Sequence, residues 1–154
     1  MAEVNSTLTK IEAAAVRRAL SILKRHLNSG PALSSPCAVR NYLSLQYGLH
    51  KVEVFSAIWL NAQNMVIAIE EISKGTLTQT SVFPREVIRS AIEKNAAGVI
   101  FAHNHPSGVA EPSHADKTLT QALKEALALV DVRVLDHFIV GGNATLSFAE
   151  RGIL

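Results

Sequence analysis

A single cysteine, Cys37, stands among 154 residues. One thiol closes no intramolecular disulfide and builds no thiolate metal site alone, so a disulfide scaffold is excluded. No run of about 18 apolar residues occurs, which excludes a membrane-crossing helix. Charge is scarce at 18 %, and 15 Lys and Arg against 13 Asp and Glu leave a net charge of +2. A duplex-DNA grip usually shows a clustered basic stripe, and this balance gives no such indication. Low charge with 48 % hydrophobic residues also excludes disorder over most of the chain. The first residues, MAEVNSTLTKIEAA, lack the basic and apolar regions of a secretory leader. With so little cysteine, the expected compartment is the reducing cytoplasm. The length suits one ordinary domain with one ordinary core.

What is present is clear periodicity. Leu8, Ile11, Ala15, Ala19, Ile22 and Leu23 recur at spacings of three and four, which predicts a helix over 7–28 capped by Ser6 or Thr7. A loop from Pro31 to Pro36 leads to a short helix over 37–45, with Ser35 as its cap. Residues 52–60 and 65–72 are apolar, β-branched runs flanking the turn Asn61–Asn64, and read as an antiparallel hairpin. A helix over 84–94 opens on Pro84, and a buried strand covers 97–102. A helix over 113–129 and strands over 132–140 and 144–148 follow, the strands joined at Gly141–Asn143. The order α, α, β, β, α, β, α, β, β predicts an α/β domain with a mixed central sheet flanked by helices.

The chemistry gathers at the end of the strand over 97–102. His103 and His105 are spaced so that a strand turns both imidazoles to one side. Asp116 follows eleven residues later, in the first turn of a helix that Ser113 would cap. Two imidazoles and a carboxylate make a three-ligand set for zinc, with a fourth position left for water. Read blandly, the same residues are incidental loop histidines, a first-turn acid that favours the helix dipole, and a cap.

The string from His103 to Asp116 resembles the JAMM metalloprotease motif: His-x-His, seven residues, Ser, two residues, Asp. In the form His-Asn-His-Pro-Ser-Gly it is similar to the RadC-like branch of the JAB/MPN superfamily. Phe83–Val87, Val134–Gly141 and Ser147–Gly152 extend the likeness over about residues 34–152. The resemblance implies a JAB/MPN fold with a cytidine-deaminase-like architecture over 34–154, preceded by a helix and linker over 1–33. Full-size RadC-like proteins carry a helix-hairpin-helix region, so this chain looks like the short form found in prophage and mobile-element clusters. The resemblance further implies Zn2+ held by His103, His105 and Asp116, with Glu53 as general base and Ser113 as oxyanion donor. Glu70 is the alternative base. The implied reaction is hydrolysis of an amide or isopeptide bond in a peptide substrate, held as an added strand on a sheet edge.

Two other classes compete. One is a nucleic-acid-associated or DNA-repair-associated accessory protein with a structural or vestigial metal site. The other is a peptide-binding module that does not cut. Arg17, Arg18, Lys24 and Arg25 form the basic cluster that could touch nucleic acid, and otherwise read as a solvated helix face. His137 reads as structural or as support to a ligand. His26, His50 and His114 read as surface residues, and Cys37 as a small buried hydrophobe. No membrane partner is expected. The oligomeric state, and whether the first helix docks on its own chain, stay open.

Overall fold

The computed structural model describes residues 8–27, 36–48, 50–75 and 82–154. In chain order the elements are α1 Lys10–Leu27, α2 Pro36–Tyr47, β1 Val54–Leu60, β2 Val66–Lys74, α3 Pro84–Glu93, β3 Gly98–Asn104, α4 His114–Ala128, β4 Arg133–Gly141, β5 Ala144–Ser147 and α5 Phe148–Arg151. The five strands form one mixed sheet in the order β2-β1-β3-β4-β5. Among the described residues only β3 and β4 pair in parallel; the other neighbours are antiparallel.

The inner strands β1 and β3 are buried on both faces, which is why they read as near-continuous apolar runs. Successive side chains alternate between faces. Val54, Ile58 and Leu60 of β1, with Ile100 and Ala102 of β3, pack under Val39, Tyr42, Leu43 and Tyr47 of α2. Phe55, Ala57, Trp59, Val99 and Phe101 face the other way, toward Val87 and Ala91 of α3 and Leu123 and Leu127 of α4. Complete burial of a large side chain such as Trp59 or Phe101 contributes about 1.5–3 kcal/mol. Leu20, Leu23 and Leu27 bring α1 onto the α2 face of its own chain.

Several boundaries differ from the sequence expectation for local reasons. Thr9 starts α1: its hydroxyl accepts from Glu12 N at 3.3 Å, and Thr9 N donates to the Glu12 carboxylate at 2.7 Å. Ser6, Thr7, Ser35 and most of the loop from Pro31 lie outside the described residues. β3 runs on through His103 and Asn104. The last strand stops at Ser147, whose hydroxyl accepts from Glu150 N and opens the one-turn helix α5. Cys37 is exposed rather than buried, because Val39, Tyr42, Leu43 and Tyr47 set the inward face of α2. His50 is half-buried rather than superficial, its ring edge-on to Tyr47 with centroids 5.5 Å apart. His26 and His114 are exposed.

Candidate metal centre

The alternation that sends Phe101 toward α4 sends His103 the same way, as the last inward side chain of β3. His105 lies one residue past the strand, with its N–H bonded to Val140 O at 2.8 Å. The two Nε2 atoms come within 2.9 Å. Ser113 caps α4, so Asp116 sits in the first turn and points back at the histidines. Its Oδ1 lies 3.3 Å from His103 Nε2, and its Oδ2 3.4 Å from His105 Nε2. Glu53, just before β1, places Oε1 3.8 Å from His103 Nε2. One ligand atom from each of Glu53, His103, His105 and Asp116 lies within 4.8 Å of the others. His103 and Asp116 are buried, whereas Glu53 and His105 remain partly open to solvent.

The backbone around these groups is held by specific bonds. The Asn104 amide clamps the segment that carries Glu53: Oδ1 accepts from Val54 N at 2.9 Å, and Nδ2 donates to Val52 O at 3.0 Å. Ser113 N and Oγ both donate to Asp116 Oδ2, at 2.6 and 2.7 Å, while Asp116 N donates back to Ser113 Oγ at 3.1 Å. The Ser113 hydroxyl proton is thus directed at Asp116, and donation elsewhere requires the hydroxyl to rotate. The loop after His105 crosses directly over Gly141, where an added Cβ would sit 2.4 Å from Ala110 N. That loop presents Val109 O to His105 Nδ1 at 2.8 Å. A carbonyl only accepts, so Nδ1 carries a proton and Nε2 is the nitrogen left to face Asp116 and His103.

The electrostatics suit a cation. Burial pushes the Asp116 carboxyl up, but its close contacts with the His103 and His105 imidazoles outweigh it and hold it well below the usual carboxylate range. The Asp116 hydrogen bond raises His105. Burial lowers His103, and lowers His137 well below an ordinary histidine. Imidazole nitrogens and a carboxylate are ordinary ligands for a transition metal, so the donor set fits one.

The residues expected from sequence fall into two groups. Glu53, His103, His105 and Asp116 converge, with Ser113 beside them. Glu70 does not join them: it accepts from Trp59 Nε1 at 2.9 Å and from Ser90 Oγ, and pairs with Lys94 at 2.9 Å. Asn104 and Thr120 serve the site without being fixed positions of its His-x-His, Ser, Asp sequence motif. Thr120 carried a signal, since it is a polar residue on the buried stripe Asp116, Thr120, Leu123, Leu127 of α4.

A family model for the RadC-like JAB domain matches residues 33–153. A UPF0758 protein of Nitrosospira multiformis is 60 % identical over 141 residues, which is 92 % of this chain and 63 % of that protein. One from Leptothrix cholodnii is 62 % identical over 124 residues, 80 % of this chain and 56 % of its own length. One from Nitrosomonas eutropha is 59 % identical over 138 residues, 90 % of this chain and 60 % of its own. The chain therefore spans about three-fifths of the length of these relatives.

Proposed function

From a chain that belongs to the RadC-like JAB domain family, we propose a zinc-dependent hydrolase that cleaves an amide or isopeptide bond. One observation carries the reading: ligand atoms of Glu53, His103, His105 and Asp116 converge within 4.8 Å at a partly open site. His103, His105 and Asp116 would hold the metal. When bound, zinc supplies a Lewis acid and brings the pKa of a coordinated water to about 7.

The chain's own groups do the rest. The Glu53 carboxylate accepts the proton of the attacking water and returns it to the leaving nitrogen. The Asn104 clamp on Val52 O and Val54 N fixes the backbone on either side of Glu53. Ser113, rotating its hydroxyl off Asp116, donates to the oxyanion that develops on the scissile carbonyl. A peptide or isopeptide substrate and a cytoplasmic setting belong to the same proposal. An exposed Cys37 thiol is at ease in a reducing compartment.

The test strips the purified chain with a chelator, reloads it with zinc, and assays peptide and isopeptide-linked substrates. Wild type is expected to take up one zinc per chain, and His103→Ala and Asp116→Ala to take up none. Glu53→Gln should keep zinc yet lose hydrolysis by about 10²–10⁴-fold, the usual worth of a general base. A wild type that binds no zinc, or a Glu53→Gln variant as active as wild type, overturns the proposal.

A further inference from the structure

Behind His103 lies a chain of hydrogen bonds with a fixed direction. His103 Nδ1 is 2.8 Å from His137 Nε2, His137 Nδ1 is 2.6 Å from Thr120 Oγ1, and Thr120 Oγ1 is 2.6 Å from Asp116 O. The direction follows from the far end. Asp116 O is a carbonyl and can only accept, so it takes the single hydroxyl proton of Thr120. Thr120 Oγ1 can then only accept from His137, which places a proton on His137 Nδ1. The His137 ring is fully buried among Phe55, Phe101 and Phe148. The nearest carboxylate in sequence, Asp136, is turned away: it accepts from His137 N, Ser147 Oγ and Ala149 N. A neutral ring protonated at Nδ1 has a bare Nε2, and that nitrogen accepts from His103 Nδ1–H.

We infer that His137 and Thr120 are positioning residues that lock His103 in its Nδ1–H form, leaving the Nε2 lone pair aimed at Asp116 and His105. Val109 O holds a proton on His105 Nδ1 in the same way. The His103 Nε2 lone pair can then accept from His105 Nε2–H at 2.9 Å, and once that one proton leaves, both imidazoles offer Nε2 to one point. The two locks come from different elements. His137 reaches the site face because β4 carries one extra residue. Val99 pairs with Val134, but Phe101, two residues on, pairs with His137, three residues on. The extra residue switches which face of the sheet His137 takes, and without it the ring would point at α2.

The tautomer is a property of the chain alone; its benefit to metal affinity rests on the zinc reading above. Long-range 1H–15N correlation spectra of the metal-free protein, labelled in histidine, read the tautomers directly. His103 and His137 are both expected as Nδ1–H. Thr120→Val removes the acceptor, so the His137 ring should lose its single form, and zinc affinity by chelator competition should fall about 10–100-fold. Thr120→Ser keeps the hydroxyl and should behave as wild type in both measurements. A His103 ring protonated at Nε2 in wild type overturns the inference, as does a folded Thr120→Val variant with unchanged spectra and zinc affinity. If wild type shows both Nδ1–H rings but takes up no zinc, the relay stands and the hydrolase proposal falls.

Discussion

Replacing Gly141 with alanine tests how the His105 loop is held. The new Cβ would meet Ala110 N at 2.4 Å, Val109 C at 2.6 Å and Ala110 Cα at 2.9 Å. Non-bonded atoms pack at about 3.5–4.0 Å, so the shortfall is about 1 Å. All three neighbours are backbone, so no side chain can swing aside. The Val109–Ala110 peptide has to move, and with it the carbonyl that holds His105 Nδ1 at 2.8 Å. Overpacking of this kind costs about 1–3 kcal/mol. Loss of a ligand's outer hydrogen bond costs about 10–100-fold in metal affinity. Urea unfolding of the metal-free protein reads the first quantity and chelator competition for zinc the second. Gly98→Ala is the control, because its nearest neighbour is Leu135 Cδ1 at 3.3 Å, the tip of a side chain that can turn. A Gly141→Ala variant that unfolds and binds zinc as wild type does would refute the account of the loop.

The remaining predictions concern groups away from the centre. Burial pushes the Glu70 carboxyl up, but hydrogen bonds from Ser90, Lys94 and Trp59 prevail and hold it below its ordinary 4.5. A carboxyl lowered on folding adds stability above pH 4.5 and loses it as the pH falls toward the folded value. Glu70→Gln should therefore unfold at lower urea than wild type at pH 7, with the gap narrowing below pH 4.5; a gap independent of pH would refute this. Cys37 is the one thiol in the chain and is exposed, so a thiol-specific dye should label the native protein as completely as the unfolded one. Labelling that waits for denaturant would put the side chain back in the core.

The elements that were legible in the sequence are those whose burial is symmetrical or whose ends carry local chemistry. β1 and β3 are buried on both faces, and an uninterrupted apolar run says so without reference to any partner. Pro84 opening α3 and Ser113 capping α4 are decided within one turn. The exposure of Cys37 is not legible because α2 is short, with inward residues starting only at Val39, so hydrophobicity alone does not say which way its first turn faces. α5 is hidden because Phe148 looks like the end of an apolar strand. The capping hydroxyl of Ser147 and the left-handed Gly152, at φ 67°, outweigh that pattern.

The same division runs through the centre itself. His103, His105 and Asp116 lie within one stretch of chain, so a strand's period of two and a helix's first turn are enough to bring them together. Glu53 lies 50 residues upstream of His103, and only the antiparallel register, with Phe55 opposite His103, carries it in. His137 depends on more than register, since a single extra residue in β4 decides which face of the sheet it takes. Sequence periodicity cannot show that residue, because Val132–Val140 reads as a strand whether or not one position is skipped. The ligands are thus local in sequence, while His137, which fixes the His103 proton, arrives from β4. A search for ligands alone would find His103 and miss His137 and Thr120, on which the direction of its lone pair depends.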